Sequence, residues 1–89
     1  MKRYQVLIAW HLWPEINALP VRMRRVLYRK FDQLEETPDA ASEFQSSDKN
    51  GRTQDGFIIG QLAFFYWIDF ADRHVKVLKI SPADRVARR

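Results

Sequence analysis

Eighty-nine residues, 46 % apolar and 29 % charged, bound this chain to one small globular domain and exclude a second core or a disordered polymer. The absence of cysteine removes disulfides, thiolate zinc sites and cysteine nucleophiles, and is compatible with a reducing compartment. The net charge of +4 is unevenly spread, basic from Pro20 to Phe31 and again at Arg85, Arg88 and Arg89, acidic from Asp32 to Asp55, which favours an anionic partner.

Met1-Lys2-Arg3 is basic, but the apolar run behind it ends at His11. That is too short for a signal-peptide core or a membrane span, so a soluble, cytoplasmic protein is expected, with no membrane partner. Tyr4 to Trp10 alternates Tyr4, Val6, Ile8 and Trp10 against Gln5, Leu7 and Ala9, the period of a strand. His11 to Leu19 reads as a short helix, with Pro14 in its first turn and Glu15 at its positive end. Pro20 opens a second helix to about Glu36. At 100° per residue Met23, Val26, Leu27, Phe31 and Leu34 share one face, and Arg22, Arg25 and Arg29 lie opposite. Thr37-Pro38 stops it, because the residue before proline disfavours the α region. Residues 39–55 are polar and serine-rich without periodicity, and are expected as a mobile loop.

Gly56 to Gly60 reads as a short strand. Leu62 to Asp69 is apolar on both alternating faces, which marks a central strand covered on both sides. A short polar loop joins it to Val75–Ile80 as an antiparallel hairpin. The basic tail, residues 81–89, allows a last helical turn capped by Ser81. The order β-α-α-β-β-β is α+β, with the helices on one face of a small sheet and the whole chain, 1–89, one domain.

Candidate functional residues divide by chemistry. Arg22, Arg25 and Arg29 present a stripe suited to phosphates or to an acidic protein segment, or simply a solvated helix face. Lys30 falls inside the apolar arc of its helix, where it either snorkels along the sheet edge or enters a groove. His11 and His74 lack metal-ligand spacing, so no metal site is expected, and Asp72 with His74 pairs an acid with a base on paper. The aromatic set Phe64, Phe65, Tyr66, Trp67 and Phe70, with Trp10 and Trp13, could stack bases, but most of it must fill the core. Phe65 and Trp67 would form a hydrophobic patch for a partner if one sheet face stays uncovered.

The ordered combination resembles the RelE/ParE superfamily of bacterial type II toxins. It comprises an N-terminal strand, Glu15-Ile16-Asn17-Ala18-Leu19-Pro20, the helix from Val21-Arg22-Met23-Arg24-Arg25 to Leu34-Glu35-Glu36-Thr37-Pro38, and then Phe57-Ile58-Ile59-Gly60. Tyr66-Trp67-Ile68-Asp69 and Val75 to Ile80 complete it. The resemblance implies a small twisted antiparallel sheet with a helical hairpin against it, and a cognate antitoxin as partner. It implies a target in translation, through metal-independent messenger-RNA cleavage on the ribosome, or in DNA gyrase, and no cofactor. The strand positions where such nucleases usually carry cations read Phe57-Ile58-Ile59, Leu62-Ala63-Phe64 and Ser81-Pro82-Ala83 here, and none supplies one. Enzymatic activity is therefore open. The catalytic candidates left are Arg85, Lys79, Lys30 and His74. A non-enzymatic protein- or nucleic-acid-binding module on the same fold is the alternative.

Overall fold

The computed structural model describes residues 3–85, and of Arg85 the backbone only. Strand β1 (Gln5–Ile8) is followed by a 3-10 turn (Trp10–Leu12), helix α1 (Trp13–Asn17) and helix α2 (Val21–Glu36). Four strands then run in sequence: β2 (Phe44–Ser47), β3 (Thr53–Ile59), β4 (Leu62–Asp69) and β5 (His74–Pro82), closed by a second 3-10 turn (Ala83–Arg85). They form one five-stranded sheet in the order β1-β5-β4-β3-β2. β1 lies parallel to β5, and every other pairing is antiparallel. Among the described residues no helix is long and apolar enough to cross a membrane.

The hydrophobic pattern builds the core as its periodicity requires. Leu27 and Leu34, seven residues and about two turns apart, are fully buried on the inner face of α2. They meet Ile16 of α1 and the inward row Phe57, Phe64, Tyr66, Ile68, Val75 and Val77 from three strands, so both helices sit on one face of the sheet. Phe57 and Phe64 stack at 5.2 Å, and the buried Tyr66 hydroxyl donates to the Pro38 carbonyl at 2.6 Å, tying the end of α2 to the central strand. Val26, expected on the inner face, is 43 % exposed. It lies about 100° from the Leu27–Leu34 axis, at the rim of the apolar arc.

Two expectations need correction. Strand β1 is shorter than Tyr4–Trp10: it leaves the sheet after Ile8, and Trp10 enters the 3-10 turn with 84 % of its surface exposed. Residues 39–55 are not one loop, for they contain β2 and the first part of β3, paired from Phe44↔Gly56 to Ser47↔Thr53. The turn between them is built by Asp48, whose carboxylate accepts from the N–H groups of Asn50 and Arg52 at 2.9 Å each. Gly51 supplies the left-handed residue, φ +78°, that the turn demands. β2 is an edge strand of polar residues, so it carries no apolar alternation to betray it. At the other terminus β5 ends with Ser81 and Pro82, and a 3-10 turn follows. Arg88 and Arg89 of the basic tail lie outside the described residues.

Candidate functional site

The sheet face turned away from the helices is where the chemistry collects. On β4 the side chains alternate, with Phe64, Tyr66 and Ile68 facing the helices and Phe65 and Trp67 facing away. Register then assembles rows across the sheet. Phe44, Gly56, Phe65 and Lys79 form one row, and Lys76 stands opposite Trp67 in the next. Continuing the Asp55↔Tyr66 pairing by one residue brings Gln54 to the other side of Trp67, with Ser46 beyond it. His74 and Asp69 pair in a third row.

The rings on this face are dressed with cations. The Arg52 guanidinium lies 5.0 Å and the Lys76 ammonium 5.1 Å from the Trp67 ring centroid, and the Lys79 ammonium lies 5.0 Å from that of Phe65. Each contact contributes ~0.5–1 kcal/mol at an exposed site and orients a long side chain over the sheet. Lys76 also approaches Asp69 at 3.7 Å, which offsets part of its charge. Lys79 and Arg52 have no ion pair among the described residues. Phe65 is only 6 % exposed, because the Phe44 ring meets it edge-on at 5.4 Å and Lys79 covers the rest. Phe65 and Trp67 therefore do not form the open hydrophobic patch expected of them. The face is aromatic at its base and cationic at its surface.

The four catalytic candidates are not gathered at one point. Lys79 and His74 share the helix-free face but stand two rows apart, about 13 Å along the strand. Lys30 belongs to the opposite side. Its ammonium binds Glu43 at 3.0 Å and sits 5.5 Å from the Phe57 ring, while the second Glu43 oxygen accepts from the Ile58 N–H at 3.0 Å. Lys30 thus fastens α2 to the sheet edge beyond the end of β2, the snorkelling alternative. The backbone of Arg85 closes the last 3-10 turn, at the far end of β5 from His74. Arg22, Arg25 and Arg29 are exposed on the outer face of α2, away from the sheet. Arg52, Lys76, Phe44 and Gln54 were not singled out by sequence. Lys76 was legible from the hairpin register opposite Trp67, and Arg52 only through the Asn50-Gly51 turn signal.

Two further features bound the chemistry. Ligand atoms of Asp69, Asp72 and His74 lie within 4.8 Å of one another and are the group among the described residues able to hold a metal ion. Asp69 already accepts the Asp72 N–H at 3.1 Å, so the same carboxylate shapes the β4–β5 turn, in which Arg73 takes φ +57°. Burial pushes the Tyr66 phenol above its ordinary range, and the negative charge of Asp55 adds to this, so Tyr66 stays a neutral hydrogen-bond donor in the core.

No family model matches this sequence. No curated protein matches it. The fold has clear relatives among solved structures. A chain of the archaeal RelE–RelB complex from Pyrococcus horikoshii OT3 superposes with TM-score 0.77 at 21 % identity, over 94 % of this chain and 99 % of that one. A chain of the toxin–antitoxin complex RelBE2 from Mycobacterium tuberculosis gives 0.69 at 16 % identity, over 90 % and 98 %. A mutant of the E. coli toxin RelE in the free state gives 0.68 at 16 % identity, over 94 % and 86 %. The chain has the RelE-like toxin fold.

Proposed function

We propose that this chain is the toxin half of a toxin–antitoxin pair, that an antitoxin neutralises it, and that its helix-free face acts on RNA during translation in the cytoplasm. The observation that carries the reading is the cation–aromatic face on a RelE-like sheet, with Arg52 and Lys76 at Trp67 and Lys79 over Phe65. Cations held over aromatic rings, with the exposed plane of the Arg52 guanidinium among them, suit a single-stranded nucleic acid, whose phosphates pair with the charges and whose bases stack on such a plane. Of the three solved structures described, one is named a toxin–antitoxin complex, one a RelE–RelB complex and one a toxin in the free state, which supports the partner. The exposed arginines of α2 offer a partner's acidic segment a surface separate from the sheet face.

Cleavage on this face would need charge stabilisation and a proton-transfer group. Arg52, Lys76 and Lys79 supply the first, and His74, one row from Lys76, supplies the second. The non-enzymatic reading draws support from the 13 Å or so between His74 and Lys79, since the two cannot serve one phosphate. Induced expression, with translation and plasmid supercoiling measured separately, tests the target. Translation arrest relieved by the product of the adjacent gene is the expected result. Altered supercoiling with normal translation, or unaffected growth with abundant folded protein, overturns it. Purified protein in EDTA then separates the two readings. Cleavage lost in His74→Ala with RNA binding retained supports the enzyme, and binding without any cleavage by the unaltered protein supports the module.

A further inference from the structure

Beside the cationic rows, the end of the β4–β5 hairpin gathers three donors of a different kind. Asp69 and His74 face each other across its last rung, and Asp72 stands between them in the turn. One ligand atom from each, an imidazole nitrogen and two carboxylate oxygens, lies within 4.8 Å of the others. Strand register fixes Asp69 and His74, and the Asp72 N–H donates to one Asp69 oxygen at 3.1 Å. The His74 ring is half-buried, yet neither it nor the Asp72 carboxylate has a hydrogen bond or ion pair among the described residues. Both border a cleft of about 620 Å³ that Tyr4, Gln5 and Val6 wall on the side of β1.

We propose that Asp69, Asp72 and His74 form a site for a divalent transition-metal ion of the zinc type, with water from the cleft as its remaining ligand. The donor set selects the metal. An imidazole nitrogen suits zinc, copper or nickel, whereas magnesium and calcium prefer oxygen alone. Two carboxylates balance the double charge of the ion, and three protein ligands leave a position for water, as in open zinc sites. Zinc bonds of about 2.1 Å place tetrahedral ligand atoms about 3.4 Å apart. The donors must therefore close by about 1.4 Å at most, a rotation that the exposed Asp72 side chain makes without moving a strand. The opposing charges are Lys76, 3.7 Å from the second Asp69 oxygen, and the exposed Arg3 and Arg73 on the cleft wall. Lys76 also rests over Trp67, 5.1 Å from its centroid, so it can yield Asp69 to a metal. The expectation of no metal site rested on histidine spacing, whereas it is the hairpin that brings Asp69 to His74. A bound metal takes the imidazole lone pair, so a loaded His74 cannot accept a proton.

The test is calorimetric titration of the untagged full chain, stripped with EDTA and dialysed, with Zn²⁺ alone. Circular-dichroism melts confirm that each variant folds. A single ion should bind each chain at micromolar zinc and raise the melting temperature, because the unfolded chain does not hold the three donors together. His74→Ala and Asp72→Ala should each weaken binding by about ten-fold or more. Asp72→Ala keeps the backbone N–H that shapes the turn, so loss of binding there is loss of a ligand. Lys76→Gln should tighten binding by about three-fold, since it removes a competing charge. His11→Ala, which alters the other histidine, should change nothing. No saturable binding, binding unaltered by His74→Ala or by Asp72→Ala, or binding weakened equally by His11→Ala overturns the inference. Each of those results leaves the RNA-directed reading in place, because no RNA enters the measurement.

Discussion

Gly56 is the position where a single methyl group should do most damage on the functional face. A Cβ there would lie 2.2, 2.5 and 2.8 Å from three atoms of the Phe44 ring, closer than such atoms ever pack. The backbone of β3 is fixed by pairing on both sides, so the ring must leave. It then loses its edge-to-face contact with Phe65, about 0.5–1.5 kcal/mol, and re-exposes a half-buried aromatic surface for about 1 kcal/mol more. Replacing glycine within a strand returns about 0.5–1 kcal/mol of chain entropy, which leaves Gly56→Ala destabilised by about 1–1.5 kcal/mol. For a domain of this size that is a fall in melting temperature of about 5–10 °C. The decisive measurement is a double-mutant cycle followed by thermal melts. In a Phe44→Ala background the clash is gone, and Gly56→Ala should be neutral or stabilising by about 0.5 kcal/mol. If Gly56→Ala costs the same in both backgrounds, the steric account of this face is wrong.

Three other outcomes follow from named contacts. Lys30→Ala should lower stability by about 0.5–1 kcal/mol in urea melts, because the Lys30 stem is mostly buried while its partner Glu43 stays exposed to solvent, and Glu43→Ala added to it should cost little beyond the lost Ile58 contact. The Tyr66 phenol ionises near pH 10 when unfolded and higher when folded. Above that pH unfolding releases a proton, so stability should be intact below about pH 10 and then fall by about 1.4 kcal/mol per pH unit, a decline absent from Tyr66→Phe. Triple replacement of Arg22, Arg25 and Arg29 by glutamine should weaken binding of an acidic antitoxin and flatten its salt dependence, while leaving RNA binding on the sheet face unchanged. A loss of RNA affinity equal to that from Lys79→Ala would assign the stripe to RNA instead.

How far the sequence carried depended on where each residue sits. The helix Val21–Glu36 and the strands β4 and β5 were legible because they bury strong periodic apolar patterns, and burial is what such patterns report. The hairpin β2–β3 was missed because an edge strand reading Phe-Gln-Ser-Ser buries one ring only. Its mark was Asp48-Lys49-Asn50-Gly51, turn chemistry rather than hydrophobicity. That omission hid the functional face, since Phe44, Arg52 and Gln54 all come from the missed hairpin. Phe65 was read as an exposed anchor because nothing local to β4 announces that Phe44, twenty-one residues earlier, lies over it.

Lys79 depends on a feature that no alternation rule supplies. Val75 and Val77 are buried against the helices, so strict period-two counting sends Lys79 into the core with them. Instead Phe65 pairs with Lys79 and Tyr66 with Val77, which leaves Leu78 as an extra residue with no partner of its own. That bulge reverses the alternation within one step. It turns Lys79 out over Phe65, restores Ile80 to the core opposite Phe64, and pushes Leu78 out to solvent. A regular strand would have to choose between burying an ammonium and exposing Ile80, and either choice costs more than the single disrupted rung. The same extra residue therefore satisfies the core on one side of the sheet and delivers the cation on the other. A change that removes the bulge should remove both at once.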